Sequence, residues 1–284
     1  MELTLHAPAK VNLTLIVDAR RDDGYHNVST VMQTVGLYDT LTLTGGGSGL
    51  TMTCTDPDLP TDGSNLVLRA AALFCRELHL PAPDLHLHLQ KRIPSQAGLG
   101  GGSSDAAAVL RAMRTLYAPE VSDAELARMA ARLGSDVPFF IRGGTALAAG
   151  RGERLTPLPR LADGWFVVVK PPEGFSTPAM YRRLDELPPQ PPQPPQPDGM
   201  IAALGAGELR AVAAALCNSF ERAVPPDSAV WDIEDALRAH GALAAMLSGS
   251  GSAVFGLFDR EDAACAAADA LRARWPLTFA VQPV

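Results

Sequence analysis

The chain has 284 residues, is 47% hydrophobic and 19% charged, and carries a formal net charge of −7. This suits two modest globular domains with real cores and excludes a general nucleic-acid binder, which needs a basic stripe. The opening "MELTLHAPAK" has neither a basic n-region nor an apolar h-region, so no signal peptide is expected. The longest uncharged run, 241–258, is interrupted by glycines and serines and reads as strand–turn–strand rather than a membrane helix.

In chain order, residues 2–18 read as a strand that enters a turn at Asp22, Asp23 and Gly24. Two further strands are expected over 28–35 and 39–44, with 45–49 as a flexible hairpin tip. A helix over 65–80 follows, then "LHLHLQKRI", whose Leu85, Leu87, Leu89 and Ile93 have the period of a half-buried strand. Helices are expected over 104–117 and 122–133. Ser122 and Glu125 form a capping box for the second, and Gly134 stops it. The remainder reads as a strand 165–170, helices near 178–187, 199–216 and 227–240, a strand pair over 242–258, a helix 261–274 and a strand 277–283. That order is α+β, with an antiparallel sheet of the split βαβ kind and a domain boundary near 160, giving domains 1–160 and 161–284. The tract "PPQPPQPPQP" (188–197) reads as a solvated polyproline II loop.

Cys54, Cys75, Cys217 and Cys265 are scattered without a CxxC pair, which suits buried thiols in a reducing cytoplasm. Among 24 basic residues only Lys10, Lys91 and Lys170 are lysine. Either this is coding bias, or each lysine sits where a compact ammonium is needed and a planar guanidinium will not fit. His86 and His88 share a strand face, but no third ligand is evident, and they read as its polar side.

The most informative stretch is "PSQAGLGGGSSDAAAVLRAM", a glycine run between a predicted strand and a predicted helix. A helix N-terminus has unpartnered N–H groups and partial positive charge, and glycines let the backbone approach an anion closely. Strand–glycine loop–helix is therefore a phosphate cradle, with Ser103 and Ser104 placing hydroxyls at the cap. No lysine follows the glycines as a Walker loop requires. Ser103 stands where the GxGxxG fingerprint needs its last glycine, so a Rossmann dehydrogenase is not supported.

"PSQAGLGGGSS" resembles the P-x-x-x-G-L-G-x-x-S-S phosphate loop of the GHMP kinases (galactokinase, homoserine kinase, mevalonate kinase, phosphomevalonate kinase). "APAKVNLTL" near the start and "LSGSGSAVFGLF" near the end stand where that superfamily has its other signatures. Within it, "RRDDGYHNVSTVMQTVGLYDTL", "SNLVLRAA" and "LGSDVPFF" are similar to the family that phosphorylates 4-diphosphocytidyl-2-C-methyl-D-erythritol. The resemblance spans essentially the whole chain, with the proline tract the main departure. Ser248 replaces a frequent threonine and keeps the hydroxyl.

The resemblance implies a two-domain small-molecule kinase fold, with a ribosomal-S5-like N-terminal domain, a ferredoxin-like C-terminal domain and the active site in the cleft between them. It implies ATP as phosphoryl donor, Mg2+ with unknown ligands, and a cytidyl diphosphate sugar alcohol as acceptor. A cytoplasmic enzyme without nucleic-acid or membrane partners is expected; the oligomeric state is not legible. Homoserine or mevalonate kinase-like activity, or a non-catalytic nucleotide-binding protein, are the alternatives. From residues alone Asp136 reads as a turn carboxylate, and Lys10 as a strand-end lysine. By resemblance Asp136 is the catalytic carboxylate, and Lys10 contacts it and the acceptor oxygen. ATP-binding residues are then Pro94, Ser95, Gln96, Ala97, Gly98, Leu99, Gly100, Gly101, Gly102, Ser103 and Ser104, with Asn65, Leu66, Val67 and Lys91 toward adenine. Asn12 would bond the acceptor's hydroxyls. Tyr25, His26 and Tyr181 would clamp the cytosine, and Thr177, Ser248 and Gly249 complete the substrate side.

Overall fold

The computed structural model describes residues 2–22, 24–161, 163–188 and 197–284. Residues 189–196 of the expected polyproline loop lie outside the described residues, as does Asp23 of the expected turn. The chain divides into two compact units that alternate along the sequence. The first runs to Ala9 and then comprises Leu37–Ser95 and Gly100–Gly143. The second comprises Lys10–Gly36, Gln96–Leu99 and Gly144–Val284.

The chain opens with β1 (Glu2–Arg20) and β2 (His26–Gly45), which pass through both units in sequence. β2 is one strand where the sequence suggests two. The N–H of Gly36 donates to the carbonyl of Gln282 at 2.9 Å, and Val35 bridges Pro283, so the C-terminal tail keeps the chain extended through the glycine.

In the first unit an unanticipated β3 (Leu50–Cys54) pairs parallel with β4 (Leu85–Gln90), and β4 pairs antiparallel with the second half of β2. Residues 45–49 are therefore not a hairpin tip. They carry the chain past β4, and the N–H groups of Gly46 and Gly49 donate to the carbonyl and the carboxylate of Asp84. Leu85, Leu87 and Leu89 are buried as the alternation requires. β4 stops at Gln90 rather than running to Ile93, because the N–H groups of Arg92 and Ile93 turn to Oδ1 of Asp39 at 2.6 and 2.9 Å.

The side-chain oxygen of Asn65 caps α1 (Leu66–Glu77), which packs on α2 (Gly101–Tyr117); Ala70 and Ala71 of the one and Ala106 and Ala107 of the other are fully buried. α3 (Asp123–Ala131) carries the expected capping box. It ends at Ala131, so Gly134 lies in the turn beyond. That turn leads to α4 (Phe139–Arg142), a single turn anchored by buried Phe139 and Phe140.

In the second unit β5 (Thr145–Gly150) pairs antiparallel with the first half of β2, and β6 (Arg154–Pro157) pairs with β5; neither was expected. Then come β7 (Trp165–Lys170), α5 (Thr177–Glu186), α6 (Asp198–Ala206) and α7 (Leu209–Ala214). Gly207, at φ +69°, divides α6 from α7 where one helix was expected. β8 (Cys217–Asn218) pairs parallel with β1 and runs into a 3-10 turn, Ser219–Ala223. α8 (Ala229–Ala239), β9 (Ala244–Leu247), β10 (Val254–Phe258), α9 (Glu261–Arg272) and β11 (Leu277–Val281) complete the chain. The order β11-β7-β10-β9 is antiparallel throughout, the split βαβ arrangement. Val167, Val169, Leu247 and Val254 pack one face against Ile233 and Leu237 of α8 and Ala267 and Leu271 of α9.

Candidate active site

The glycine loop leaves β4 and enters α2 through left-handed residues: φ is +50° at Gln96, +73° at Gly98 and +72° at Gly100. α2 begins at Gly101, earlier than expected, with Gly100 at its cap and no side chain capping it. The first N–H groups of a helix have no intrahelical acceptor, so those of Gly101, Gly102 and Ser103 are presented together at the positive end of a 17-residue helix. Ser103 and Ser104 thus lie inside the first turn, not at the cap. Ser104 is fully buried, and its hydroxyl has no hydrogen-bond partner among the described residues.

Gly98 has to be glycine, since a Cβ there would stand 2.0 Å from the carbonyl oxygen of Ser248. Its own carbonyl is a meeting point. Nζ of Lys10 donates to it at 2.8 Å, and Oγ of Ser248 donates to it at 3.1 Å. Lys10 is 3% exposed, and its ammonium also donates to Oδ1 of Asn12 at 2.5 Å. Nδ2 of Asn12 donates to Oγ1 of Thr30 at 2.8 Å, and that hydroxyl donates to the carbonyl of Thr14, which fixes the amide's orientation. A Cβ on Gly249 would lie 3.3 Å from Nζ of Lys10. The structure therefore brings Lys10, Asn12, Gly98, Ser248 and Gly249 together. Thr177 joins the same turn, with Oγ1 2.7 Å from Oγ of Ser250.

A second group gathers around α5. The ring of His26 stacks on that of Tyr181, with centroids 4.8 Å apart and planes 20° from parallel, and Nε2 of His26 is 2.7 Å from Oδ1 of Asp185. Phe220 meets Tyr181 edge-on at 4.9 Å. Tyr25 belongs to the same unit but is 55% exposed, with the guanidinium of Arg151 4.6 Å above its ring. His26 and Phe220 thus both meet Tyr181, and Asp185 and Arg151 are additions the sequence did not suggest.

In the first unit the ammonium of Lys91 lies between two buried carboxylates, donating to Asp105 at 3.0 Å and to Asp39 in a short contact. Burial pushes the carboxyl of Asp105 up to about 7, opposed by Lys91 and reinforced by Asp39. Burial lowers Lys91, but the two carboxylates outweigh it and hold its pKa above the usual lysine value. Asp39 was missed; the one signal was a carboxylate at a core position of a strand, between Leu37 and Leu41. Leu66 approaches the start of α2, since a Cβ on Gly102 would lie 3.9 Å from its Cδ1, and one on Gly101 would lie 3.2 Å from Nζ of Lys91. Asp136 is half-buried in the turn ahead of α4, next to buried Val137.

All three lysines are held by oxygen atoms. Lys170 is 7% exposed, donating to the carbonyls of Pro171 and Glu173 at 2.7 Å each, and burial pulls its pKa down. His86 and His88 bond Thr51 and Thr53 across the β3–β4 ladder. Among the described residues no group of three His, Cys, Asp or Glu side chains stands ready to hold a metal ion.

The model of the GHMP kinases N terminal domain matches residues 65–144, and that of the GHMP kinases C terminal matches residues 200–277. The chain is 41% identical over 282 residues to the 4-diphosphocytidyl-2-C-methyl-D-erythritol kinase of Moorella thermoacetica, covering 98% of this chain and 97% of that one. It is 40% identical over 272 residues to the enzyme of the same name from Caldicellulosiruptor saccharolyticus, covering 95% and 93%. A crystal structure of a 4-(cytidine 5'-diphospho)-2C-methyl-D-erythritol kinase superimposes with a TM-score of 0.81 at 40% identity, over 98% of each chain. The homoserine kinase of Cytophaga hutchinsonii, at 18% identity and a TM-score of 0.76 over 99% of this chain and 95% of that one, shares the fold.

Proposed function

The chain belongs to the 4-diphosphocytidyl-2-C-methyl-D-erythritol kinases, a family of the GHMP kinases, and from that premise we propose that it transfers the γ-phosphoryl group of ATP to the 2-hydroxyl of 4-diphosphocytidyl-2-C-methyl-D-erythritol, a step in making isoprenoid precursors without mevalonate. The observation that carries this reading is the buried Lys10 ammonium seated on the carbonyl of Gly98, within the loop that leads to the open N-terminus of α2.

Phosphoryl transfer asks the protein for positioning and charge neutralisation. The loop 94–104 receives the triphosphate. The N–H groups at the start of α2, which have no intrahelical acceptor, suit its oxygens. Asn65, Leu66, Val67 and Lys91 are assigned to the adenosine side. Asp136 accepts the proton of the attacking hydroxyl while its oxygen bonds to the γ-phosphorus. The bond from that phosphorus to the β-phosphate oxygen breaks, and ADP departs. Lys10 stabilises the charge developing on the hydroxyl oxygen, and Asn12 orients the acceptor. Tyr25, His26 and Tyr181 are assigned to cytosine, each stacking contact worth about 1–3 kcal/mol, with Thr177, Ser248 and Gly249 beside the acceptor.

Mg2+ in such sites is carried largely by phosphates and water with one or two protein oxygens. When bound it neutralises charge on the β- and γ-phosphates. No helix among the described residues is long and apolar enough to cross a membrane, and we place the reaction in the cytoplasm.

The test is an ATP-dependent assay with the cytidyl substrate, with homoserine and mevalonate as control alcohols and the product followed by mass. Asp136→Asn is expected to lower kcat by at least about 10²-fold with the fold intact, and Lys10→Arg to be severely impaired because the larger planar cation displaces the hydroxyl. Phosphorylation of a control alcohol in preference to the cytidyl substrate overturns the reading. Near-normal turnover in either folded variant removes that residue from the mechanism.

A further inference from the structure

Asn218 has no role in the assignment above, yet it is tied to the site through an unbroken set of contacts. It is 7% exposed in β8, in register with Leu15 of β1. Its Nδ2 donates to the carbonyls of Leu247 and Gly249, both at 2.8 Å, and its Oδ1 accepts the N–H of Phe220 at 3.0 Å. Both hydrogens of one amide are thus spent on the two carbonyls that bracket Ser248. Those carbonyls face a common point and would repel each other without a donor between them. One turn later Oε1 of Glu221 accepts the N–H of Leu247 at 3.1 Å.

The turn so held has little freedom of its own. Ser248 donates its N–H to Ala253, Gly251 donates to Ser248, and Gly249 is left-handed at φ +58°. On its other side it presses on Gly98, whose carbonyl accepts both Oγ of Ser248 and the ammonium of Lys10. A displacement of the turn therefore moves an oxygen that seats the ammonium.

We propose that Asn218 is a positioning residue for phosphoryl transfer, its carboxamide holding the turn 247–251 against Gly98 and thereby setting the place of the Lys10 ammonium. The proposal rests on the kinase reading for its kinetic consequence, but not for the mechanical link itself.

Asn218→Asp keeps the shape of the side chain and sets a carboxylate against two carbonyl oxygens, whereas Asn218→Ala only removes the donors. A residue needed for its volume tolerates Asp better than Ala; a residue needed for its donors does the reverse. Kinetics at saturating substrates are measured for both variants, together with hydrogen–deuterium exchange. The expected result is a kcat lowered about tenfold in Ala and about 10²-fold in Asp, with KM for ATP within about twofold of wild type. Exchange is expected to quicken at residues 97–100 and 247–251 and to stay unchanged in α9. The proposal is overturned by an unchanged kcat in folded Asn218→Ala, by Asp being the milder change, or by exchange that quickens at 247–251 but not at 97–100. If the wild type fails to phosphorylate the cytidyl substrate, the functional reading has failed, and exchange at 97–100 alone decides the link.

Discussion

Both units bury a cluster of ionisable groups, and they compensate it differently. In the first, a whole ammonium is enclosed: Lys91 lies between Asp39 and Asp105, and all three side chains are at most 7% exposed. In the second, the carboxylate of Glu234 opposes the charge on Glu221, and the cation is peripheral. Arg238 is 48% exposed and reaches Oε2 of Glu234 at 2.7 Å and the carbonyl of Ala245 at 2.9 Å. Burial raises both Asp105, to about 7, and Glu221, to about 8, the latter helped by Glu234. The opposing influence is strong in one cluster and weak in the other. A buried carboxylate is tolerated either by a cation beside it or by keeping its proton; the second unit leans on the proton, and the first adds an enclosed cation to it.

The sharpest way to break the contrast is to remove the enclosed cation. Lys91→Met preserves most of the side chain's length and leaves two carboxylates facing each other. Removing one partner of a buried ion pair costs about 3–5 kcal/mol. That loss is expected in urea unfolding at pH 7, independently of any effect on KM for ATP. A loss below about 1 kcal/mol would mean that Asp39 and Asp105 do not depend on the ammonium, and the two clusters would be alike.

Much of the local structure around these clusters was legible, because it is encoded within a few residues. Ser122, with Glu125 three residues on, announces its helix by its own side chain. The glycine run between Ile93 and Ser104 announces an open helix start. What was not legible depends on distant partners. Gly36 stays in a strand because Gln282 supplies an acceptor. Residues 45–49 looked like a hairpin tip because nothing in them reveals that β4 lies between β2 and β3. Asp39 is one polar letter in "GLYDTL", and its role needs the N–H groups of Arg92 and Ile93. Asn218 was invisible for the same reason, its acceptors lying beyond α8. The resemblance named Lys10, Asn12, Ser248 and Gly249 without saying why they belong together. The carbonyl of Gly98 supplies the reason.

A finer test uses pH. Asp105 is raised from 3.8 to about 7 in the fold, so the folded state holds that proton more tightly than the unfolded chain does. Its stabilising contribution is complete below the unfolded pKa and fades as pH climbs, vanishing above about 7. Stability should therefore fall from pH 5 to pH 7, by at most about 1.4 kcal/mol per pH unit for one proton. Asp105→Asn cannot titrate. Its deficit relative to wild type should shrink steadily across that interval in urea titrations at pH 5, 6 and 7. Parallel curves would show that Lys91 keeps Asp105 ionised throughout, and that the first cluster works as ions alone.

The smallest effect is expected where a proton already does the compensating. Oε1 of Glu234 is buried without a hydrogen-bond partner among the described residues, and a proton on Glu221 is the donor its neighbour can offer. Glu221→Gln supplies that donor permanently through its amide N–H. Its carbonyl oxygen still accepts the N–H of Leu247, as Oε1 of Glu221 does at 3.1 Å. The change should alter stability at pH 7 by less than about 1 kcal/mol, the scale of one neutral hydrogen bond exchanged for another. It should also remove the decline in stability that Glu221 causes between 4.5 and about 8. Glu221→Ala, which strands the N–H of Leu247, is the control and should cost about 1–3 kcal/mol. If Gln instead costs as much as Lys91→Met, Glu221 is held as an anion, Arg238 must be its counter-ion despite its exposure, and the distinction between the two units disappears.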